Sequence, residues 1–455
     1  MDRKDPRTAL RDESIWHNIS ENVFRLHLVE LEKCTNAVPT GMQTFPVNDW
    51  LDRSPSNLHT LPLSVEQQFA DDFAYLSAVE EGAQSVAAAC VEEHIRPPGL
   101  VIRFAALDMS MKDTTRSALQ AILELLARGK PETETQSLLC QQVVQLHFVR
   151  LLARLRSVKW QKPAYLSKSH KKALWQDFAN LTHRVQFIYT KKESVSRRSV
   201  ERQLQELAEL YETFEYVPSE SVEERVYMQR LIQQSFEFCT NEEIREYAQR
   251  LQSSIRLTPT KQVGAAVKTF RQIEKIAAYW RISLSLVQTA RKYPSLFRNI
   301  KTDYLTPYKS IPTTIGYEAW AKTCHVHAEV QLTVYYDTLT EQEQRNFHLP
   351  RAIGTSKYLC YLCYHFLRAH QRFFPSNTHG RLYDQWTVPD LTEFEEPVRQ
   401  RYRIILEDID GQVVSETKAV RGTEQSSSRL VKWRPEPMTS RQNLLNMDAE
   451  DESVV

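Results

Sequence analysis

The chain has 455 residues, of which 42% are hydrophobic and 25% are charged, and its formal net charge is +1. This length predicts two or three domains, and the hydrophobic content is high enough for well-packed cores. The near-zero net charge excludes any argument for nucleic-acid or membrane binding that rests on the charge of the whole molecule.

The first residues, Met1 to Asp5, open no apolar run, and no stretch of the chain is apolar for the roughly 18 residues of a membrane span. Seven cysteines are present, and only Cys360 and Cys363 are closely spaced. This pattern is typical of an intracellular protein with reduced thiols. We therefore expect a cytoplasmic or nuclear location and no membrane partner.

The N-terminal part of the chain predicts mainly helices. Residues 1–60 form an N-terminal segment that is partly irregular, with a helix at about 15–34. Apolar residues at spacings of three and four from Val65 to Cys90 predict one long amphipathic helix. Residues 100–104 fit a short strand or an apolar connector. Further helices are predicted at about 113–128, 134–157, 168–190, 195–214, 220–237, 240–254, 262–280 and 283–291.

The composition changes near residue 300 and indicates a domain boundary. We expect a helical domain at 61–300, as one unit or two, and a small second domain at 301–410. Helical spacing returns at the end of this second domain and continues to about residue 409. The Ser-rich and finally acidic run at 411–455 predicts a disordered tail.

The second domain carries a metal-ligand pattern. His327 is followed by Ala328 and Glu329, and Cys360 and Cys363 follow at C-x-x-C spacing. Zinc favours imidazole nitrogen and thiolate sulfur, and an open site uses three protein ligands. An H-x-E run followed by C-x-x-C is the pattern of zinc-dependent nucleobase deaminases, in which the Glu moves protons and is not a ligand. The pattern predicts a zinc site at His327, Cys360 and Cys363, with Glu329 as the catalytic acid and base.

Hydrolytic deamination requires a strong nucleophile at neutral pH, and zinc meets this need by lowering the pKa of a bound water. A carboxylate beside that water takes its proton and later delivers a proton to the ring and to the departing ammonia. Helices are predicted to start near His327 and near Cys360, which allows these side chains to bind the metal. A helix N-terminus also favours thiolates.

The motif and its surroundings resemble a known family. The run His327 to Leu332, the run Ile353 to Cys363 and the run Thr378 to Gly380 are similar to the OTT_1508-like deaminases, seen largely in fungi, of the cytidine deaminase-like superfamily. The resemblance covers about residues 310–410. It implies a three-layer α/β/α fold, one zinc ion and deaminase chemistry on a nucleobase in a nucleotide or nucleic acid. Leu359 departs from the wider superfamily, where Pro often precedes the first Cys.

Two other residues compete for the metal. Cys324 lies three residues before His327, so Cys324, His327 and the Cys pair fit a closed Cys₃His site that would hold zinc for structure alone. Such a site would leave Glu329 without a role. His325 is a second candidate ligand, since it lies two residues from His327, and the choice between the two rests mainly on the motif.

The substrate pocket is less well defined by the sequence. The resemblance places His379, before Gly380, near the pocket, and a histidine that stabilises a turn fits equally well. Trp386 is predicted either to stack on a base or to pack in the core. His365 and His370, on the helix of the Cys pair, are predicted at the surface.

Basic residues occur at Lys168 to Lys172, at Lys191 and Lys192, and at Arg197 and Arg198, with aromatic residues nearby. Such a mixture suits a nucleic-acid strand. Glu193, Glu201 and Glu206 follow closely, however, and favour a solvated helix face.

The sequence thus predicts an α+β protein with a large, mainly helical N-terminal region followed by a small three-layer α/β/α cytidine deaminase-like domain. The predicted function is a Zn²⁺-dependent hydrolase that deaminates a nucleobase of cytosine or adenine type in a nucleotide or nucleic acid. A protein partner of the N-terminal helices is also expected. The alternative is a helical interaction protein whose deaminase-like domain is inactive and holds a structural zinc.

Overall fold

The structure is a computed structural model that describes residues 3–43, 58–80, 86–107, 111–129, 132–164, 172–257, 260–374 and 377–424. The chain divides into two compact units. Residues 128–291 form the second unit, and the described residues before and after them, apart from 79 and 80, form the first. Residues 61–127, expected in the helical domain, therefore belong mostly to the first unit, together with the metal-ligand motif.

The strands all lie in the first unit. They are β1 (Ala87–Ile95), β2 (Pro98–Ala106), β3 (Ile300–Tyr304), β4 (Ile311–Pro312), β5 (Thr323–Val326), β6 (Phe347–His348), β7 (Gly354–Thr355) and β8 (Trp386–Thr387).

Helices of the first unit are α1 (Glu21–Thr35), α2 (Leu63–Ser77) and α3 (Asp113–Ala127). The second unit contains α4 (Glu132–Leu155), α5 (Phe178–Ile188), α6 (Ser194–Tyr216), α7 (Val222–Thr240), α8 (Glu242–Leu257) and nearly all of α9 (Lys261–Lys292). The first unit ends with α10 (Pro294–Phe297), α11 (Ala328–Asp337), α12 (Glu341–Gln344), α13 (Tyr361–His370) and α14 (Glu396–Glu424).

The larger sheet has the strand order β3-β2-β1-β6, and β7 also pairs with β1. β1 and β2 form an antiparallel hairpin in register from Ala87 opposite Ala106 to Ile95 opposite Pro98, and β2 pairs with β3 in parallel. Seven consecutive residues of β1 are buried. Since neighbouring side chains of a strand point to opposite faces, both faces of β1 are covered. The α+β class predicted from the sequence is confirmed.

The long helix predicted from Val65 to Cys90 is wrong in its second half. Helix α2 ends at Ser77, and the apolar run that begins at Ala87 is strand β1. This run is buried on both faces, so it lacks the alternation that distinguishes a strand from a helix. Residues 100–104 are indeed strand, within β2.

The smaller sheet carries the chain to the metal-ligand motif. β4 pairs with β5 antiparallel, and β5 pairs with β8 in parallel, with His325 opposite Trp386. β5 then leads directly into α11. The motif therefore lies at the end of a short strand whose position is fixed on both sides.

One hydrophobic core joins the N-terminal segment to these elements. Ile15, Phe24 and Leu28 share it with buried residues of α11, α13 and α14. Arg25 donates a hydrogen bond to the carbonyl oxygen of Asp384 at 3.2 Å, and Arg7 donates one to that of Val388 at 2.9 Å. The segment predicted as a partly irregular N-terminal region is thus built into the domain that carries the motif.

The disordered tail was predicted to begin at residue 411, which is too early. Helix α14 continues to Glu424, because Val413 and Thr417 extend its buried face beyond residue 409. The rest of the range 425–455 lies outside the described residues.

The second unit is helical, as predicted, and has its own core. Helix α9 is one continuous helix where two were predicted, because Ala278 to Ser283 are helical and nearly all buried. A buried hydrogen bond of 2.7 Å joins Tyr211 of α6 to Ser235 of α7. Arg197 pairs with Glu201 at 2.9 Å, which agrees with a solvated helix face, and 165–171 lie outside the described residues. No described helix is long and apolar enough to cross a membrane.

Candidate metal centre and active site

His327 lies where strand β5 passes into helix α11. It is the N-cap residue of the helix, with an extended backbone at φ −64° and ψ 153°. The next residues turn into the helix, so the side chains of His327 and Glu329 leave this short stretch in different directions. One residue can therefore bind a metal while the other faces the reacting group.

Cys360 and Cys363 lie at the start of helix α13. Cys360 is its N-cap, and its sulfur accepts a hydrogen bond from the Cys363 backbone N–H at 3.3 Å. Burial alone would raise the pKa of Cys360, but hydrogen bonds from Cys363 and the charge of His327 hold that pKa well below its usual value of 9.0. The helix N-terminus therefore presents a thiolate, which is the form that binds metal.

The three predicted ligands meet at one point. Nδ1 of His327 lies 3.6 Å from Sγ of Cys360 and 3.4 Å from Sγ of Cys363. A tetrahedral zinc ion with ordinary Zn–N and Zn–S bonds would separate such atoms by about 3.6 Å. All three ligand atoms lie within 4.8 Å of one another, and in the described part of the chain no other His, Cys, Asp and Glu residues form such a group. The donor set and its spacing fit one zinc ion.

Glu329 lies beside these ligands. Its side chain is buried, and Oε2 is 3.5 Å from Sγ of Cys363. Burial is the main cause that raises the pKa of Glu329, the charge of Cys360 adds to it, and His327 opposes it. A carboxyl group whose pKa is raised by burial is suited to take and deliver a proton.

The closed Cys₃His site is not formed. Cys324 does not belong to the ligand group and lies in the middle of β5, near Arg25 and Glu21. Burial raises the pKa of Cys324 to about 11, so it is a thiol. His325 is not in the group either, and its Nε2 lies 3.1 Å from the hydroxyl of Thr323. The group that could hold a metal ion therefore consists of three residues, and neither Cys324 nor His325 adds a fourth ligand.

His379 lies close enough to Cys360 and His327 for their charges to act on it. Its backbone N–H donates to the carbonyl oxygen of Leu359 at 3.1 Å, and its Nδ1 accepts from the Arg381 N–H at 3.0 Å. Burial is the main cause that lowers the pKa of His379 to about 4, and the charges of Cys360 and His327 also act on it. The imidazole is therefore neutral, with its proton on Nε2 as a donor.

Trp386 does not line a pocket. The side chain is 1% exposed and lies between Phe24 and Phe366, at ring distances of 6.3 and 5.9 Å. Packing, the alternative interpretation, is correct. The prediction that His365 and His370 lie at the surface is wrong, because helix α13 is buried around almost its whole circumference.

Sequence reasoning missed the part played by residues 381–383 and 37–43. The ring of Tyr383 is 6.4 Å from that of His327 and 6.0 Å from that of His379. Gln43 exchanges two backbone hydrogen bonds of 3.1 Å with Thr378, next to His379. A Cβ on Gly380 would lie 2.0 Å from the carbonyl oxygen of Thr40. No local pattern in residues 37–43 indicates these contacts; Tyr383 could be suspected only from its nearness to the Thr378–Gly380 run.

A His at one helix start, a Cys pair at another and a Glu beside them form the residue signature of the zinc-dependent nucleobase deaminases. Residues 326–390 match the family model of the OTT_1508-like deaminases. The matched segment contains all three metal-ligand candidates and Glu329. No curated protein and no solved structure matched the chain.

Proposed function

We propose that the protein is a zinc-dependent hydrolase that removes the amino group of a nucleobase of cytosine or adenine type, in a nucleotide or nucleic acid. The observation that carries this proposal is the meeting of His327 Nδ1 with two cysteine sulfurs at 3.6 and 3.4 Å, beside a buried Glu329. A closed structural site would need a fourth protein ligand, and no described Cys, His, Asp or Glu supplies one.

Each residue has a defined task in this reaction. His327, Cys360 and Cys363 would hold the zinc ion, which when bound supplies a water of lowered pKa. Glu329 takes one proton from the attacking water and passes it to the ring nitrogen. The carbon–nitrogen bond to the amino group then breaks, ammonia leaves with a second proton, and the ring carbon keeps the oxygen as a carbonyl.

The test is the variant Glu329→Ala in the full chain, with Glu341→Ala as its control. Glu341 has a side chain that is 92% exposed, at the start of the short helix α12. Ammonia release is measured with nucleosides, nucleotides and short oligonucleotides that contain cytosine or adenine, and zinc per chain is measured on the same samples.

We expect Glu329→Ala to retain zinc and lose at least the roughly 100-fold that general acid–base catalysis contributes, whereas Glu341→Ala stays as active as the unaltered protein. If the unaltered protein deaminates no substrate and still holds zinc, the alternative of an inactive deaminase-like domain in a helical interaction protein replaces the enzyme. A protein partner for the helices of the second unit and a cytoplasmic or nuclear location belong to the proposal in either case.

A further inference from the structure

The backbone of Arg381 is fixed against the candidate site. Its N–H donates to Nδ1 of His379 at 3.0 Å, and its carbonyl oxygen accepts from the N–H of Tyr361 at 2.9 Å. Tyr361 is the first residue of α13, directly after Cys360. Leu382, the next residue, donates to the carbonyl oxygen of Ala37 at 3.0 Å. The side chain of Arg381 therefore starts from a rigid point beside the metal ligands.

The partly buried Arg381 has no carboxylate partner among the described residues, whereas Arg351 and Arg103 do. Arg351 pairs with Glu66 at 2.8 Å, and Arg103 pairs with Glu92 at 2.5 Å. Arg381 forms no ion pair with any described carboxylate, and its Nε is inaccessible to solvent without a hydrogen-bond partner. Its Cζ lies over the ring of Tyr383 at 5.2 Å from the centroid. An arginine held in place without an acidic partner is suited to an anionic ligand.

Other charges near the site agree with this assignment. Lys357 lies three residues before Cys360, and its charge acts on His379 in the same direction as that of Arg381. The charge of one carboxylate, Glu32, raises the pKa of Tyr383, and the charge of Arg381 lowers it. Two basic side chains thus act on the His379 side of the site, where the proton on Nε2 of His379 adds a neutral donor.

Tyr383 has both Arg381 and a metal-ligand candidate in its neighbourhood. The centroid of its ring lies 6.4 Å from that of His327 and 5.2 Å from Cζ of Arg381. In a nucleotide the phosphate is joined to the base through one sugar, so a nucleotide is a ligand that offers a phosphate close to its base.

We propose that Arg381 binds the phosphate of the substrate, so that the enzyme acts on a phosphorylated nucleoside and discriminates against the free nucleoside. This inference rests on the proposed function for its choice of a nucleobase ligand. A free mononucleotide and a nucleotide unit within a strand present the same phosphate chemistry, and the experiment separates these two sources.

The experiment measures binding without turnover, by calorimetry on full-length zinc-loaded protein that carries Glu329→Ala. The probes are cytidine and adenosine, their 5′-monophosphates, and short single-stranded oligonucleotides of the same bases. Arg381→Gln is added to this background because it removes the charge and keeps a polar side chain, and Arg381→Lys retains the charge. Arg368→Ala is the control, since this exposed arginine lies in the last turn of α13, at the end away from Cys360 and Cys363.

We expect the phosphorylated probes to bind roughly 10- to 100-fold more tightly than the nucleosides, as expected for charge-assisted hydrogen bonds. Arg381→Gln should remove this difference, Arg381→Lys should keep part of it, and Arg368→Ala should leave it unchanged. If Arg381→Gln weakens the binding of oligonucleotides alone, the phosphate belongs to a nucleic-acid strand. If it weakens the binding of monophosphates, the phosphate belongs to a free nucleotide. Zinc content and the thermal midpoint of each variant show whether it is folded; if Arg381→Gln is not, the comparison of Arg381→Lys with Arg368→Ala decides.

Equal binding of nucleosides and nucleotides, a phosphate preference that persists in Arg381→Gln, or no binding of any probe would overturn the inference. Turnover by the protein with Glu329 intact separates this failure from failure of the proposed function. If nucleosides are deaminated as efficiently as nucleotides, the inference fails and the deaminase stands. If nucleotides bind through Arg381 and none is deaminated, the proposed reaction fails and the phosphate site stands.

Discussion

Two buried cysteines of this chain differ in chemistry because of where each lies in its element. Cys360 occupies a helix N-cap, where Cys363 and His327 hold its pKa well below 9.0 against the effect of burial. Cys324 lies within a strand, where burial raises its pKa to about 11. The residue type is the same, so the difference between a candidate metal ligand and a core thiol comes from local backbone geometry.

This difference leads to a matched prediction. Cys360→Ser should weaken zinc binding by more than the roughly 10- to 100-fold that loss of an outer-shell partner costs, because it removes a ligand. Cys324→Ser should keep one zinc per chain, although it places a hydroxyl at a buried position. Metal analysis of the two purified variants is the measurement.

X-ray absorption at the zinc edge of the unaltered protein is the independent check. Two sulfurs, one imidazole nitrogen and one light oxygen ligand are expected. A third sulfur that disappears in Cys324→Ser would contradict the open site.

At the scale of elements, the ends of α11 and α13 that lie away from the ligands are joined by a buried carboxylate. Asp337, the last residue of α11, accepts from Nε2 of His370 at 2.7 Å, from Arg372 at 2.7 Å and from the hydroxyl of Tyr402 at 2.8 Å. Its side chain is 1% exposed. The two helices that begin at the ligands are thus tied at their other ends to α14.

Burial would raise the pKa of Asp337, but the hydrogen bond and charge of His370, the charge of Arg372 and the hydrogen bond of Tyr402 together lower it below its usual value of 3.8. A carboxyl group whose pKa is lowered on folding stabilises the folded state at pH values above its unfolded pKa. That stabilisation is lost as the pH falls below 3.8 and through the folded-state pKa.

Asp337→Asn should therefore lower the free energy of unfolding by roughly 3 kcal/mol at neutral pH. This is near the lower end of the cost of breaking a buried ion pair, because Arg372 reaches solvent. Urea unfolding at neutral pH and at pH values just below the usual carboxyl pKa is the measurement. The difference in the free energy of unfolding between the unaltered protein and Asp337→Asn should become smaller in acid. Asp408→Asn, an exposed change on α14, is the control, and an equal loss in this control would contradict the role of the Asp337 cluster.

The group of His327, Cys360 and Cys363, which could hold a metal ion, could be predicted because its signals are local. A helix start at His327, another at Cys360 and the C-x-x-C spacing are all readable within a few residues. Strand β1 could not be read in this way, because Ala87 to Val91 are apolar without alternation and follow an amphipathic helix. The burial of His370 likewise depends on Asp337, 33 residues away in sequence.

At the scale of the whole molecule, the domain that carries the candidate site is held together by contacts between distant parts of the sequence. The family match covers residues 326–390, but the core of this domain includes side chains from residue 15 onwards. The sheet beside it takes its two longest strands from 87–106. Composition and periodicity indicate separate regions and carry no signal for such long-range packing. For this reason the predicted ranges 1–60 and 301–410 did not reveal their common core.

The roles of the two units lead to the last prediction. Ile15, Phe24, Leu28 and Leu31 are each at most 1% exposed, and burial of one such side chain contributes roughly 1.5–3 kcal/mol. Together they approach the total stability of about 5–15 kcal/mol that is typical of a folded protein. Removal of residues 1–43 should therefore yield aggregated protein without a zinc site.

Replacement of residues 128–291 by a flexible Gly/Ser linker should have the opposite result. That unit has a separate core and contributes no described residue of the candidate site, whereas the first unit keeps α3 packed on β3 and on α10. The shortened protein should remain monodisperse, bind one zinc ion and retain the deaminase activity that we propose, as measured by size-exclusion chromatography, metal analysis and ammonia release. If it binds zinc but loses activity on oligonucleotides alone, the helical unit takes part in binding the strand. If it fails to fold, the first unit is not an independent domain, and the division of labour between the two units inferred from their separate cores is wrong.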